Sequence, residues 1–190
     1  STFAGAQSGD VSLFYYSGLG PVGGSLIGTD GAAISPTTLK SALDKIPGKK
    51  IVIVDSCYSG AIINKASAAT VNSETVNEEF TSSFIAAFTV STRALNTDGY
   101  YVITASRSDE YSYEGSLTSD GITKKVGIFT FGLSRGCGWN YITERSNSKY
   151  ADTNGDNILT LDEVYQYAYQ FAQTYVTQHA QVYPDNSSYA

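Results

Sequence analysis

Histidine is nearly absent from this chain, with one residue, His179, among 190. That excludes zinc sites built on two or three imidazoles. It also leaves any nucleophile that requires an imidazole base a single candidate. Cysteine is as scarce: Cys57 and Cys137 cannot build a disulfide framework, and their separation is not a metal-ligand spacing, so cysteine does not set the redox compartment. No apolar run reaches the roughly 18 residues that a membrane span requires. The N-terminal STFAGAQSGD has neither the basic flank nor the apolar stretch of a signal peptide. Basic residues are outnumbered, 12 Lys and Arg against 18 Asp and Glu for a net charge of −6, and they are scattered. A phosphate-neutralising surface for nucleic acid is thereby excluded. Methionine is missing altogether, and the lack of an initiator predicts a chain that begins inside a longer gene product.

What is present describes one domain able to bury a proper core. Hydrophobic residues make up 42% and charged residues 16%, with 15 Tyr, 8 Phe and 18 Gly. Val11 to Tyr16 (VSLFYY) reads as a strand that breaks at Ser17-Gly-Leu-Gly-Pro. The Gly-rich stretch to Gly31 is too permissive for regular structure. Ser35 and Pro36 cap and open a helix with Leu39, Ala42, Leu43 and Ile46 on one face, stopped by Pro47-Gly48. Ile51 to Val54 (IVIV) is an uninterrupted β-branched run, expected to be buried on both faces as in parallel sheets. Residues 66 to 79 read as a long loop and residues 79 to 91 as a helix. A strand at Tyr100 to Thr104, an acidic loop from Ser106 to Glu114, a buried helical segment from Gly127 to Leu133 and a helix from Leu161 to Thr177 complete the chain. The alternation predicts an α/β fold with a mostly parallel sheet, with no internal repeat and no linker.

The strongest local signal is DSCYSG, Asp55 to Gly60, directly after the IVIV run. A strand ending there presents Cys57 at the carboxyl edge of a parallel sheet, where open α/β folds keep their sites. The competing reading is an inert buried thiol, since free Cys is among the most buried residue types.

Taken with FYYSGLG (Phe14 to Gly20), this segment resembles the caspase-like cysteine peptidases, above all the clostripain-like and metacaspase-type bacterial members. Those families carry one strand ending in YSGHG, whose His is the base, and a second ending in DSCxSG or DACxSG, whose Cys is the nucleophile. The resemblance extends through TASRSDEYSYE (Thr104 to Glu114), GIFTFGLSRG (Gly127 to Gly136), ADTNGDNILTLDEVYQY (Ala151 to Tyr167) and QVYPDNSS (Gln181 to Ser188). It implies a caspase-like three-layer sandwich, proteolysis by Cys57, and an oxyanion hole from the backbone N–H groups of Gly20 and Cys57. It also implies an Asp55 carboxylate that lines a pocket for substrate Arg or Lys, with Ser106 on the bordering strand. Asp109 or Glu110 is either a second pocket carboxylate or a solvated loop acid.

The chain departs from the family at one decisive position: Leu19 stands where the family has its His. The mechanism needs a thiolate to attack the carbonyl and an imidazole to protonate the departing amine, and leucine supplies neither. His179 as a replacement base is weighed against a partly exposed His near a helix C-terminus. The expectation is a cysteine endopeptidase domain inactivated at Leu19, natural or engineered. The alternative is a non-catalytic, calcium-dependent module that kept the fold to hold peptides.

Calcium enters through Asp152 to Glu163. A calcium loop takes oxygens from its positions 1, 3, 5, 7, 9 and 12, with a backbone carbonyl at the seventh and a bidentate Glu at the twelfth. Asp152, Asn154, Asp156, Ile158, Thr160 and Glu163 stand at those positions, and Asn157 replaces the usual Gly. The incoming helix of an EF-hand is not in the sequence, so the expectation is an isolated structural calcium loop capping the last helix, against an Asx-rich turn without an ion. Such a site suits an extracellular or periplasmic protein. The family fold also places strands ahead of the first one seen here. An upstream segment or chain is therefore expected on the Phe14-Tyr15-Tyr16 strand, whose open edge would otherwise favour association. Lys65 and residues 66 to 79 are candidates for activation cleavage, and Cys137 has no assigned role.

Overall fold

A computed structural model describes residues 3–63 and 99–184 of the chain. The expected 66–79 loop and 79–91 helix, the Lys65 cleavage candidate and the residues after Pro184 lie outside the described residues.

The central sheet has four strands in the order β1 (Val11–Ser17), β4 (Lys49–Asp55), β5 (Tyr100–Thr104), β10 (Gln181–Tyr183). The first three run parallel, and β10 joins β5 antiparallel. The chain is thus α/β with a mostly parallel sheet. Register decides where chemistry can gather: Ser17 pairs with Asp55 and Val54 with Thr104, so three strands end at one edge.

Helix α1 (Pro36–Leu43) follows from its cap. The Ser35 side chain accepts the Thr38 N–H at 3.1 Å, and Pro36 occupies the first turn, where no N–H is needed. It ends at Leu43, a turn short of the expected Ile46, because the chain must double back to begin β4. Gly48 makes that turn at φ 81°; a Cβ there would stand 2.2 Å from the Asp10 carbonyl, which accepts the Lys49 N–H at 2.9 Å.

Side chains alternate across the sheet, as strand geometry requires. Val52, Val54 and Val102 pack with Leu39 and Leu43 of α1 on one face. On the other face, Ile103 and Val182 pack with Phe129 and Leu133 of α2 (Ile128–Gly136) and with Val164 and Ala168 of α3 (Leu161–Gln173). Each such side chain removed from water contributes about 1.5–3 kcal/mol. The second face is closed unevenly. Helices α2 and α3 stand over β5 and β10, so Ile51 and Ile53 are only half-buried rather than sealed on both sides. On β1 the same face leaves Val11, Leu13 and Tyr15 at 47, 57 and 46% exposure. The outer edge of β1 meets no strand among the described residues, and none of their helices is long and apolar enough to cross a membrane.

Short elements decorate this frame. Where the Gly-rich stretch was expected to be irregular, Leu26–Ile27 (β2) pairs with Ala33–Ile34 (β3). More consequential is a hairpin of β6 (Glu114–Ser119) and β7 (Ile122–Gly127) feeding directly into α2. Its turn residues, Asp120 and Gly121, have φ of 50° and 77°. Those angles suit the two-residue turn that Asp-Gly favours between strands. A further pair, β8 (Trp139–Asn140) with β9 (Arg145–Ser146), precedes a second acidic loop, which begins at Asp152 and leads into α3.

Candidate active site

At the carboxyl edge of β1 and β4 lies a cavity of about 470 Å³. Ser17, Gly18 and Leu19 enter it from the end of β1, and Asp55, Ser56 and Cys57 from the end of β4. Ser112 and Tyr113 form the approach to β6, Glu114 opens that strand, and Lys125 and Gly127 come from β7. A neighbouring cavity of about 280 Å³ shares Ser17, Glu114, Lys125 and Gly127 and extends towards Tyr15 and Tyr141.

The loop after β1 is held from two sides. Tyr16 Oη donates to the Leu19 carbonyl at 2.8 Å, and the Ile27 N–H reaches the same carbonyl at 3.2 Å. The Leu19 side chain is left 74% exposed at the cavity. Gly20 touches the Cys57 loop so closely that a Cβ would meet the Cys57 carbonyl at 2.5 Å and Ser56 Oγ at 2.6 Å. Only glycine fits that approach.

Cys57 is half-buried, and its Sγ–H donates to the Ser112 carbonyl at 3.5 Å. Tyr58 follows in the left-handed region at φ 57°, its N–H donating to the Glu110 carbonyl at 2.7 Å. A non-glycine residue there costs on the order of 1–2 kcal/mol. The turn sends the chain into a 3₁₀ segment, Ser59–Ile62, and leaves Cys57 facing the cavity.

Asp55 stands at the cavity floor, and both its oxygens are engaged. Ser112 Oγ donates to Oδ1 at 2.5 Å, while the Thr130 N–H and Oγ1–H donate to Oδ2 at 3.1 and 2.6 Å. Since Thr130 Oγ1 spends its proton on Asp55, Tyr15 Oη is the donor in its 2.9 Å bond to Thr130. Asp55 also does for α2 what its own cap residue cannot. Gly127 has no side chain, and a Cβ there would stand 2.7 Å from Asp55 Oδ2. The carboxylate therefore reaches over Gly127 to the third N–H of the helix, where a negative charge is also favoured by the dipole. Burial raises the Asp55 carboxyl above the ordinary aspartate range against the pull of these hydrogen bonds, and the Glu114 charge adds to the rise. Glu114 pairs with Lys125 at 2.7 Å on the exposed rim, a contact of little energetic weight there.

Other expected site residues fall elsewhere. Ser106 is fully buried under the Cys57 loop, where Oγ donates to the Ser56 carbonyl at 3.1 Å and lies 3.2 Å from Ser59 Oγ. It braces the Cys57 turn from below and does not line the cavity. Asp109 is exposed on the loop and lines neither cavity. Glu110 is occupied by His179, accepting its backbone N–H at 2.8 Å and lying 2.7 Å from its Nδ1. His179 lies outside both cavity linings. Burial raises the Cys137 thiol at the end of α2, and that residue has no place in the cavity. Ser112, Thr130, Glu114 and Lys125 were not picked out from sequence, although Asp120-Gly121 marks the hairpin that carries two of them.

Between β9 and α3 no helix precedes the acidic loop. Asp152 accepts the N–H groups of Gly155 and Asn157 at 2.8 and 2.9 Å, Asn154 that of Asp156 at 2.8 Å, and Asp156 that of Ile158 at 2.8 Å. Asn157 takes the left-handed turn at φ 67° that the sixth position requires. Glu163 closes a capping box with Thr160, and these hydrogen bonds hold its carboxyl below the ordinary range. Among the described residues no three His, Cys, Asp or Glu side chains converge as a metal site. The donor types at the six positions nonetheless suit calcium. Compared with models of known protein families and with curated proteins, the chain matches none.

Proposed function

We propose that this chain is a cysteine endopeptidase domain of the caspase-like kind, cleaving after Arg or Lys and inactivated by Leu19. One observation carries the reading: Leu19, Asp55 and Cys57 line a single cavity at the strand ends, with Gly20 packed against the Cys57 backbone. Cys57 would attack the scissile carbonyl as thiolate, and the N–H groups of Gly20 and Cys57 would receive the oxyanion. Of the two carboxyl groups lining the cavity, Glu114 is paired with the single lining cation, Lys125, which leaves Asp55 as the group a basic substrate side chain would meet. With leucine at position 19 nothing at that position protonates the leaving amine, so the acylation step stalls. Calcium, held by Asp152, Asn154, Asp156, the Ile158 carbonyl, Thr160 and Glu163, would act structurally by fixing the start of α3. The β1 edge, which meets no strand among the described residues, is where an additional segment or chain would pair.

A second reading, a calcium-dependent peptide-binding module, draws on the exposed Leu19 side chain, which offers an apolar contact in place of a base. Leu19→His separates the two. The first reading expects turnover of peptides with basic residues to rise by about a hundredfold or more over the parent and to vanish with Cys57→Ala. No Cys57-dependent turnover in a folded Leu19→His protein would remove it.

A further inference from the structure

The connection from α3 to β10 has no regular structure, yet its Gln178 is fully buried. A buried primary amide is costly unless both its ends are bonded. Here Nε2 donates to the Ala105 carbonyl at 2.8 Å, just past the end of β5, and Oε1 accepts the Tyr113 N–H at 3.1 Å. Nε2 also lies 3.5 Å from Ser112 Oγ. Gln178 thus ties the end of β5 to residues 112 and 113. Ser112 in turn meets both functional side chains: its carbonyl accepts the Cys57 Sγ–H at 3.5 Å, and its hydroxyl donates to Asp55 at 2.5 Å.

We infer that Gln178 is a positioning residue for Cys57, acting through Ser112 by setting where the carbonyl that receives the thiol proton stands. The inference rests on Cys57 being the nucleophile. Only the neutral thiol can donate to a carbonyl, whereas attack requires the thiolate. With the Ser112 carbonyl held in place, the Sγ–H is turned towards it and the sulfur is held by that contact. Displacing that carbonyl frees the sulfur. The adjacent residue supplies an internal control: His179 grips the same loop at Glu110. Two neighbouring staples therefore fasten one loop, and only the Gln178 staple reaches the residue that touches the sulfur.

Iodoacetamide alkylation in a Cys137→Ser background, where Cys57 is the only thiol, tests this. Gln178→Met, apolar and close in length, is expected to speed alkylation by about fivefold or more. His179→Ala, which loosens the neighbouring staple at Glu110, is expected to stay within about twofold of the parent. A folded Gln178→Met protein alkylated at the parent rate overturns the inference, as does equal acceleration by His179→Ala. If circular dichroism shows Gln178→Met unfolded, Gln178→Asn, too short to span both partners, carries the same expectation and the same overturning result. Alkylation reads the thiol and not peptide turnover, so its outcome stands apart from that of Leu19→His.

Discussion

The cavity floor and the acidic loop are both built from oxygen-rich side chains accepting backbone and hydroxyl protons, but at opposite ranges along the chain. Asp55 is held by residues 57 and 75 positions away, and Gln178 bonds a carbonyl 73 positions away. In the loop, Asp152 bonds residues three and five positions on, and Asn154 and Asp156 bond residues two on. The first set is buried and depends on the whole sheet. The second is exposed and closes on itself, which is why a linear motif describes it well. Long-range polar contacts are coupled to packing, so they should fail together; local ones should fail alone.

Gly20→Ala is expected to break the contrast most sharply on the cavity side. The new Cβ meets the Cys57 backbone carbonyl at 2.5 Å, and a backbone atom cannot step aside as a flexible side chain would. Overpacking of this kind costs about 1–3 kcal/mol, and the urea midpoint should fall while Cys57 alkylation changes with it. A change in stability with no change at the thiol would separate Gly20 from the Cys57 loop.

Next in size is the pH response of Asp55. Its folded value is raised by burial, so the folded chain holds this proton more tightly than the unfolded chain does. The stability it contributes is fully present below the unfolded value near ~3.9 and is lost as pH rises through the folded value, with a slope of at most about 1.4 kcal/mol per pH unit. Asp55→Asn should flatten that decline in the urea midpoint. Parallel profiles for the two proteins would assign the decline to another group.

The smallest effect belongs to the loop. Millimolar calcium is expected to raise the parent Tm by a few degrees, by mass action on the folded state alone. Glu163→Gln, which removes the carboxylate at the twelfth position, should abolish the rise and leave the Cys57 alkylation rate unchanged. Calorimetry of metal-free protein with no heat of calcium binding would reduce the segment to an Asx-rich turn. An effect of calcium on the thiol would erase the contrast between the two regions.

The two regions also differ in how far they could be read in advance. Strands β1, β4 and β5 were legible because VSLFYY, IVIV and YYVIT are short apolar runs, α1 because Ser35 caps apolar periodicity, and α3 because Val164, Ala168, Phe171 and Ala172 recur at helical spacing; its Thr160 cap is seen only in the fold. Helix α3 stops at Gln173 rather than Thr177, because the following residues turn back to bury Gln178. The β6–β7 hairpin was missed although Asp120-Gly121 signals it, since SLTS and ITKK look like polar loop without the cavity they enclose. Asp55 was expected to face a substrate cation. That it also caps α2 follows from a missing side chain at Gly127, far away in sequence.

By itself the amino-acid order determined the local elements, the placing of Cys57 after a buried strand, the leucine at position 19 and the oxygen spacing from Asp152 to Glu163. Those depend on propensity, periodicity and neighbours within a few residues. Tertiary structure alone decided that Ser106 braces rather than lines the site, that Glu110 belongs to His179, and that Ser112 and Gln178 stand between the thiol and the rest of the fold. The physical reason is that a buried polar group must find partners wherever the packed chain brings them, and sequence distance places no limit on where that is.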